Sequence, residues 1–348
     1  MEQFSDYLSK IDGALERELN LYCWSEFYAP LKYACDGGKR IRPLILVLAN
    51  ECVKAGKKTA TAIATAGEGN RSSKISNNSS AGAAAGSGSS SSDNNNNNNG
   101  YISNSNSSSS SSSSRIKIRE DTLTAASAIE LLHTESVIHD DIIDEENLRR
   151  GKPSFHIKYG YNNSILTADF VLGIILNLSS KLNNPRVSGE LSNAAIKMSE
   201  GEIMEIKLAK DRNISEDDYI KVIEHKTASL FETSAKVGAI LGEGREDEIH
   251  ALAAFGNLLG IAYQVHDDLD DWNNEDRLFN LLVKKNDQSK EFVERMENLY
   301  LTYSLKAKNE LRRICDSTAK KYLQHLTDLA SFSLSSSSSS GSSRFKNM

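Results

Sequence analysis

Proline and cysteine are both scarce in this chain of 348 residues. Its four prolines leave long stretches in which nothing interrupts a helix. Its four cysteines form no CxxC pair, so we interpret them as reduced thiols of a cytoplasmic protein rather than as a zinc site or a disulfide framework. They are Cys23, Cys35, Cys52 and Cys315.

Long apolar runs and an excess of positive charge are also missing. No run approaches the roughly 20 consecutive apolar residues of a membrane span, and the first residues, MEQFSDYLSKIDGALERELN, are too charged for a secretory signal. The formal net charge is −6. We therefore predict no transmembrane segment and no nucleic-acid partner. An anionic partner would have to be held by a local cluster of cations or through metal ions.

Two segments lack the composition of a folded core. Residues 57–114 are mostly Ala, Gly, Ser and Asn, and residues 333–348 have the same character. Such segments bury too little apolar surface to offset their ordering entropy. We predict that both are disordered, and that the folded domain consists of residues 1–56 and 115–332.

The rest of the chain has the periodicity of helices. Apolar residues recur at spacings of three and four in residues 121–144 and 250–272, and they cover most of each predicted helix's circumference. Alternation typical of strands is scarce. Ser215 and Asp121 precede such runs and are predicted N-caps. The fold class is therefore predicted to be all-α, as a single large helical bundle.

The first concentration of charge lies in HDDIIDEENLRRGKP, which runs from His139 to Pro153. Asp140 and Asp144 are four residues apart, so they share one face of a helix, and Asp141 lies beside them. A solvated acidic turn explains one such motif as well as a site for magnesium does. Magnesium prefers oxygen ligands and completes its shell with water and substrate phosphates.

A second copy of the same spacing favours the metal site. QVHDDLDDW contains Asp267, Asp268 and Asp271, again at the end of an apolar helix. Two buried helices that both end in DDxxD are difficult to explain as solvated faces. If the two turns face each other, they form an acidic box that metal ions would stabilise.

Clusters of cations indicate what the metals would hold. Each cluster alone could be an ordinary basic loop. Together the clusters suggest that the protein binds two polyanionic groups, one bridged by metal ions and one held directly by cations. The clusters are GGKRIRP with Lys39, Arg40 and Arg42, the pair Arg149 and Arg150, and Lys226 in EHKTASLF.

His133 belongs to the same surface as the first aspartate motif. At 100° per residue, His133, Ser136, Asp140 and Asp144 form one stripe of a helix. A lone histidine on an apolar helix is usually a satisfied core residue. Its alignment with the acids favours contact with a ligand here.

Taken together, these motifs resemble the trans-isoprenyl diphosphate synthases, which make farnesyl, geranylgeranyl and longer polyprenyl diphosphates. The matching segments are GGKRIRP, ELLHTESVIHDDIIDEENLRRGKP, EHKTASLF and YQVHDDLDDW, in the order of that family. The resemblance covers most of residues 26–54 and 119–330. It implies the helical bundle of the isoprenoid synthases, with a central active-site cavity, and a homodimer.

The resemblance also implies roles for individual residues. It assigns magnesium ions, roughly three per active site, to the two aspartate motifs. Its metal ligands are Asp140, Asp141, Asp144, Asp267, Asp268 and Asp271. Its contacts to an allylic diphosphate are Arg149, Lys226 and Gln264, its contacts to isopentenyl diphosphate are Lys39, Arg42, His133 and Arg150, and Thr227 is a further substrate-binding residue.

The implied reaction starts with loss of diphosphate from the allylic substrate. The implied catalytic residues, Asp140, Asp144, Asp267, Arg149 and Lys226, would stabilise charge on the leaving diphosphate with the metals. The carbocation is then attacked by the double bond of isopentenyl diphosphate, and a proton is lost. An apolar cavity would protect the cation from water.

In the family, bulky aromatics just before the first aspartate motif stop short products. Glu135 and Ser136 stand there, and neither is aromatic. The resemblance therefore implies a product of geranylgeranyl length or longer.

Two departures from the family pattern are visible. A lysine-containing loop usually follows the second aspartate motif, whereas this chain has only Lys284 and Lys285 at a shorter spacing. Glu202 stands in GEIMEI where glutamine is common in the family. Two alternatives therefore stay open: a non-catalytic or weakly active subunit of a heteromeric synthase, and a class I terpene cyclase.

Overall fold

The computed structural model is helical almost throughout, which confirms the predicted all-α class. The structure describes residues 2–72, 117–211, 213–270, 278–286 and 290–338. The helices are α1 (Ser5–Asn20), α2 (Tyr28–Cys35), α3 (Ile41–Ser72), α4 (Glu120–Ile143), α5 (Phe155–Tyr159), α6 (Tyr161–Leu182), α7 (Pro185–Asp211), α8 (Glu216–Ile223), α9 (Ser229–Leu241), α10 (Glu246–Asp270), α11 (Leu278–Lys285), α12 (Lys290–Glu310) and α13 (Thr318–Ser338).

Shorter elements connect some of these helices. A π-helical segment, Glu224–Ala228, joins α8 to α9. Strands β1 (Leu148–Arg149) and β2 (Lys152–Pro153) form an antiparallel hairpin between α4 and α5. Single 3₁₀ turns lie at Glu2–Phe4 and Leu311–Arg313.

The chain divides into two compact units, residues 1–59 with 118–348, and residues 60–117. In the second unit the structure describes the end of α3, through Ser72, and Lys117. We predicted that the low-complexity insert starts at residue 57, but α3 continues past that point. Lysine and alanine in KKTATAIATA have high helix propensity, which accounts for the extension.

The predicted tail shows a similar difference, since α13 continues to Ser338 rather than ending before residue 333. The remaining residues of the predicted insert and tail, 73–116 and 339–348, lie outside the described residues. Their disorder stays a prediction.

The core of the larger unit is built around α3, α4, α9 and α10. Residues 44–49 of α3 are all fully buried, and residues 125–132 of α4 are all buried. Close packing of α9 depends on glycine. A Cβ added at Gly238 would lie 2.1 Å from the Leu46 carbonyl oxygen, and one at Gly256 would lie 2.4 Å from the Phe231 carbonyl oxygen. Backbone contacts therefore fix α9 against α3 and α10.

Of the two predicted N-caps, one is confirmed. Ser215 caps α8, because its hydroxyl accepts from the Asp218 N–H at 3.1 Å while the Asp218 carboxylate accepts from the Ser215 N–H at 3.0 Å. The prediction for Asp121 is wrong. Helix α4 begins one residue earlier, and Arg119 occupies the cap position. Asp121 lies in the first turn, where the helix dipole favours a carboxylate, and it accepts a hydrogen bond from Arg119 at 2.8 Å.

Among the described helices, α6 alone has the length and composition to cross a membrane, with a mean hydropathy of 1.5 over its best window. About a third of that window, 33%, is buried inside the protein. Core helices of proteins outside membranes pass the same test, so α6 is weak evidence for a span. The absence of a transmembrane segment stays a prediction.

Candidate active site

The first aspartate turn lies at the end of α4, as predicted. Asp144 is the C-cap of α4, and Glu145 follows with φ 51°, a left-handed conformation that turns the chain away from the helix axis. The Asp140 side chain is 23% exposed and lies 3.9 Å from the Lys226 ammonium. Burial raises the pKa of Asp140, Lys226 lowers it, and Asp144 raises it again. Two carboxylates with this mutual repulsion favour a bound cation.

Asp141 has a different environment from its two neighbours. Its side chain is 2% exposed, and its Oδ1 accepts from Arg149 Nε at 2.5 Å. Burial raises the pKa of Asp141, and the charge of Arg149 opposes that shift. The ion pair connects the end of α4 to strand β1. The carboxylate predicted as a metal ligand is thus engaged by a cation of the protein.

The hairpin presents the arginine pair. Arg149 lies opposite Lys152, so Arg150 and Gly151 form a two-residue turn. Their φ values, 53° and 74°, are those of a type I′ turn. Arg150 Nη1 donates to the Asp36 carbonyl at 3.4 Å, and Lys152 forms an ion pair with the Asp36 carboxylate. These contacts connect the hairpin to the loop after α2.

A cavity of about 330 Å³ lies between α2, α4, the hairpin and α5. Its lining combines several cations with apolar and aromatic side chains. The lining residues are Tyr33, Ala34, Asp36, Gly37, Arg40, Glu130, His133, Thr134, Val137, Ile138, Asp141, Arg149, Arg150, Lys152, Pro153, Ser154 and Phe155. Of the four residues predicted to hold isopentenyl diphosphate, His133 and Arg150 line this cavity.

His133 is uncharged in this setting. Burial lowers the pKa of His133 well below its usual value, and the charges of Arg42 and Arg150 lower it further. A neutral imidazole offers one N–H as a donor. The residue can therefore donate to an anion without carrying a charge of its own.

Arg40 in GGKRIRP is fully engaged by the protein. Its guanidinium donates to Asp12 Oδ1 at 2.8 Å, to Glu130 Oε1 at 2.6 Å and to the Cys35 carbonyl at 2.8 Å. Its backbone has φ 54°. A Cβ added at Gly38 would lie 2.2 Å from Arg40 Nη1, so the second glycine of the motif makes room for this guanidinium. Arg40 therefore fixes the loop against α4 and leaves anion binding to its neighbours.

Those neighbours differ in exposure. Lys39 is exposed, whereas the Arg42 guanidinium points inward, with its carbon 4.7 Å from the centre of the Phe231 ring. Within the described part of the chain, Arg42 Nε has no hydrogen-bond partner. Burial lowers the pKa of Arg42, and the charges of Asp140 and Asp267 oppose that shift. Both aspartate turns therefore act on one buried guanidinium.

Lys226 is surrounded by carboxylates. Its ammonium lies 2.5 Å from Glu202 Oε2, 2.8 Å from Glu205 Oε2 and 3.9 Å from Asp140 Oδ1. Burial alone lowers the pKa of Lys226, but these three charges raise it above its usual value. The glutamate at position 202, a departure from the family pattern, thus adds a second carboxylate of α7 to the lysine's surroundings.

The π-helical segment sets the position of Lys226 and Thr227. π-Helical turns are uncommon and often occur at functional sites. Helix α7 approaches this segment closely, because a Cβ added at Gly201 would lie 2.5 Å from the Lys226 backbone nitrogen. Glu202, the next residue of α7, is thereby placed against the lysine.

The second aspartate turn ends α10. Asp267 is half-buried, Asp268 is 8% exposed, and Asp271 lies outside the described residues. Thr227 Oγ1 donates to Gln264 Oε1 at 2.9 Å. Gln264 Nε2 donates to Asp268 Oδ1 at 2.9 Å. Two of the residues predicted to bind substrate, Thr227 and Gln264, are therefore hydrogen-bonded to each other and to this turn.

The two predicted chain-length residues face different directions. The Glu135 carboxylate lies 3.3 Å from Nδ1 of His139, one turn further along α4. Burial raises the pKa of Glu135, with a further contribution from Asp169 of α6, so this side chain faces α6. The half-buried Ser136 donates its hydroxyl to the His133 carbonyl at 2.9 Å. The small side chain leaves space along the aspartate face of α4.

Lys285 has a structural role in the connection between α7 and α8. Its ammonium donates to Asn213 Oδ1 at 3.1 Å and to the Ile214 carbonyl at 2.9 Å. Lys284 is exposed. These two hydrogen bonds give Lys285 a structural role that differs from that of the family's lysine loop.

No group of three or more His, Cys, Asp or Glu side chains is already arranged to hold a metal within the described ranges. The oxygen donors at the two turns nevertheless fit magnesium. This ion is usually held by one or two carboxylates, with water and substrate phosphates completing its octahedron. Asp140 and Asp144 on one turn, and Asp267 on the other, supply such donors.

Sequence reasoning missed three residues that organise this site. Arg40 was grouped with the anion-binding cations, and its partner Glu130 was not selected. Tyr219 of α8 was not selected either, although its hydroxyl donates to Asp268 Oδ2 at 2.6 Å. No local signal in the sequence marks Tyr219, because tyrosine at an apolar position of a helix most often only packs.

Comparison with known proteins identifies related sequences. The profile of the family described as "Polyprenyl synthetase" matches residues 106–289, which is more than half of the 348 residues. The chain is 27% identical to the geranylgeranyl diphosphate synthase of Methanosarcina mazei over 275 residues, which cover 77% of this chain and 66% of that protein.

Two further relatives match over a shorter region. The chain is 38% identical to the geranylfarnesyl diphosphate synthase of Methanosarcina mazei over 148 residues, 42% of this chain and 50% of that protein. It is 36% identical to the octaprenyl diphosphate synthase of Escherichia coli over 151 residues, 43% of this chain and 47% of that protein. The chain thus spans about half to two thirds of the length of the curated relatives it matches.

Solved structures share the fold. A decaprenyl diphosphate synthase from Rhodobacter capsulatus superposes with a TM-score of 0.66 at 22% identity, covering 94% of this chain and 98% of that one. A geranyltranstransferase from Methanosarcina mazei superposes with a TM-score of 0.62 at 26% identity, covering 92% of this chain and 95% of that one. The predicted bundle type is thereby confirmed.

Proposed function

The chain belongs to the polyprenyl synthetase family, and we propose that it is a trans-prenyltransferase that condenses isopentenyl diphosphate with an allylic diphosphate. One observation carries the proposal. The face of α4 with Asp140 lies against Lys226, at 3.9 Å, while His133 of the same helix shares a cavity with Arg149 and Arg150. Acids suited to metal and two groups of cations suited to phosphate thus lie along one helix.

We propose Mg²⁺ as the cofactor, with roughly three ions per active site. Asp140, Asp144 and Asp267 would hold them, and Asp271 would contribute from outside the described residues. When bound, the ions supply Lewis-acid stabilisation of charge on the departing diphosphate. The partial burial of Asp140 and Asp267 would strengthen their attraction for cations.

The two diphosphates would bind to different sets of cations. Lys226, Thr227, Gln264 and Arg149 would contact the allylic diphosphate on the metal side. Before Lys226 can do so, its ammonium must exchange part of its contact with Glu202 and Glu205 for phosphate oxygens.

Isopentenyl diphosphate would be held by His133, Arg150, Arg42 and Lys39. His133 donates as a neutral imidazole, and the inward-facing Arg42 supplies charge near both turns. Arg40 is not part of this set, because its guanidinium already donates to Asp12, Glu130 and the Cys35 carbonyl.

The proposed reaction breaks one bond and forms another. The allylic C–O bond breaks, and the diphosphate leaves with the electron pair. The double bond of isopentenyl diphosphate supplies the electrons of the new C–C bond, which moves the positive charge to its tertiary carbon. A neighbouring proton is then lost to the released diphosphate, and a new double bond forms. The product is one isoprene unit longer.

We propose a product of geranylgeranyl length or longer. Ser136 leaves room beside Asp140 on α4, and Glu135 faces α6, away from that path. The relatives named above make geranylgeranyl, geranylfarnesyl and octaprenyl diphosphates, so they are compatible with this range.

We also propose that the chain forms a homodimer through α6. Ile165, Leu172 and Leu176 of this helix are 50%, 40% and 61% exposed, and their spacing puts them on one stripe. A second copy of the stripe would cover such a surface. The four cysteines are free, in keeping with the cytoplasmic location that we propose.

A weakly active subunit of a heteromeric synthase is the second candidate. Glu202 favours it, because two carboxylates of α7 compete with a diphosphate for Lys226.

The test is incubation of purified protein with Mg²⁺, labelled isopentenyl diphosphate and each allylic primer in turn, followed by chromatography of the dephosphorylated products. We expect labelled prenyl alcohols of geranylgeranyl length or longer, and about 10²–10³-fold less product from the Asp140→Ala variant. Folded wild-type protein that yields no labelled product with any primer would overturn the proposal and favour the second candidate.

A further inference from the structure

A chain of three hydrogen bonds runs from α8 to the π-helical segment through the second aspartate turn. Tyr219 donates to Asp268 Oδ2 at 2.6 Å. Gln264 Nε2 donates to Asp268 Oδ1 at 2.9 Å, and Thr227 donates to Gln264 Oε1 at 2.9 Å. Both carboxylate oxygens of Asp268 therefore accept a bond from a neutral side chain.

The chain gives Gln264 a single orientation. A glutamine amide can be turned over with little change of shape, which exchanges its donor and acceptor. Here a carboxylate on one side can only accept, so the NH₂ of Gln264 faces Asp268. Its oxygen must then face Thr227. The acid of the second turn thus decides which atoms the amide offers to its surroundings.

The packing of Tyr219 fixes its hydroxyl next to the Asp268 carboxylate. Its side chain is 1% exposed, and its ring packs 5.5 Å from the ring of Phe279 on α11. A phenol hydroxyl carries its proton at neutral pH, so Tyr219 is the donor and the Asp268 carboxylate the acceptor of this hydrogen bond. Removing this donor would leave a carboxylate that is 8% exposed with one fewer partner.

We propose that Asp268 and Tyr219 are positioning residues, which orient Gln264 so that its second amide N–H is available to the allylic diphosphate. This inference rests on the proposed function, because Gln264 is one of its contacts to that substrate. It changes the predicted role of Asp268 from metal ligand to acceptor within the protein, while Asp267 remains the ligand on this part of α10. Tyr219 acts only through Asp268.

The test compares Tyr219→Phe with Asp268→Asn and the double variant. Tyr219→Phe keeps the ring and removes only the hydroxyl. We expect the Michaelis constant for the allylic diphosphate to rise about tenfold, as for loss of a hydrogen bond to a charged group. The constant for isopentenyl diphosphate should not change. The Michaelis constant of the double variant for the allylic diphosphate should be no higher than that of the more impaired single variant, because all three variants interrupt one chain of hydrogen bonds.

A second readout separates positioning from metal binding. The melting temperature is followed as Mg²⁺ is added in the presence of saturating inorganic diphosphate. We expect the half-saturating Mg²⁺ concentration to be the same in the wild type, Tyr219→Phe and Asp268→Asn. This measurement needs no turnover, so it remains informative if the wild type makes no prenyl product and the proposed function fails.

Tyr7→Phe is the matched control, since Tyr7 is a buried tyrosine of α1, and it should change neither readout. Two results would overturn the proposal. One is a raised Mg²⁺ requirement in Asp268→Asn alone, which would make Asp268 a metal ligand. The other is a Tyr219→Phe protein with unchanged kinetics for both substrates.

Discussion

The two aspartate turns have the same spacing in the sequence and different surroundings in the structure. In each turn the second aspartate is nearly buried and engaged by the protein. Asp141, at the end of α4, pairs with the charged Arg149 at 2.5 Å. Asp268, at the end of α10, accepts from the neutral Tyr219 and Gln264. Asp141 is paired with a charge, whereas Asp268 accepts hydrogen bonds from two neutral side chains.

The difference follows from what lies beyond each helix. The chain turns sharply after α4 and returns as a hairpin, which brings a cation back to the turn it has just left. On α10, by contrast, the partners lie on α8 and on α10 itself. The first aspartates behave alike, since the charges of Asp140 and Asp267 both act on Arg42. In both turns of this chain the charge of the first aspartate acts on Arg42, while the second aspartate is engaged by neighbouring side chains.

The largest expected effect comes from the first aspartates. Asp140→Ala and Asp267→Ala should each reduce turnover about 10²–10³-fold, because each removes a stabiliser of developing charge. Steady-state assays with saturating substrates would measure this. Asp217→Ala, which removes an exposed acid of α8, is the control and should be neutral. Near-normal turnover of one variant only would show that the two turns are not equivalent.

The next largest effect concerns the cations around the two turns. Arg42→Ala and His133→Ala should raise the Michaelis constant for isopentenyl diphosphate about tenfold or more, with a smaller rise for the allylic primer. Arg149→Ala should do the reverse. Titration of each substrate at a fixed excess of the other distinguishes the two patterns. Equal effects on both constants would remove the assignment of the cations to two sites.

Much of this site could be predicted from local sequence. The end of α4 at the first aspartate turn and the capping box at Ser215 depend on neighbours within one or two turns, and both were found. The partner of Asp268 could not be predicted, since Tyr219 is 49 residues away and only the packing of α8 on α10 brings it close. The sequence likewise does not distinguish Arg40 from the anion-binding candidates Lys39 and Arg42, because its contact with Glu130 is visible only in the structure. The start of α4 was misplaced because Asp121 suits both a cap and a first turn.

A smaller effect, on the free energy of unfolding, should distinguish the first aspartate turn, where Asp141 pairs with Arg149, from the second, where Asp268 accepts from Tyr219. Arg149→Met leaves Asp141 buried without its cation. We expect a loss of about 1–2 kcal/mol in the free energy of unfolding, which is below the usual cost for a buried pair because Arg149 is 35% exposed. Adding Asp141→Asn should restore part of it, since a neutral amide needs no counter-charge. Urea denaturation would measure both.

The same experiment on the second turn should give the opposite pattern. Tyr219→Phe should lower stability by about 1 kcal/mol, and adding Asp268→Asn should restore little, because Tyr219 supplies a hydrogen bond rather than a charge. Equal restoration at both turns would mean that the nature of the partner, charged or neutral, does not matter.

The last prediction concerns α4 and α10, the helices that end in the two aspartate turns. We expect the smallest change in turnover here, together with a clear change in product length. Four residues before its first aspartate, α4 has Ser136, whereas α10 has Tyr263 at the same distance, next to Phe231. We therefore expect a growing prenyl chain to extend along α4 from Asp140, and not along α10, where it would meet the aromatic pair. Ser136→Phe should place a ring on the open path and shorten the main product by one isoprene unit or more.

Ser136→Ala is the matched control, because it removes the hydroxyl that donates to the His133 carbonyl and adds no bulk. The distribution of dephosphorylated products from each variant, separated by chromatography, would decide the matter. A shortened distribution in Ser136→Phe with an unchanged one in Ser136→Ala would establish that the tail follows α4. An active Ser136→Phe enzyme with the wild-type distribution would show that the tail does not pass this residue, and that the difference between the two helices has no part in setting chain length.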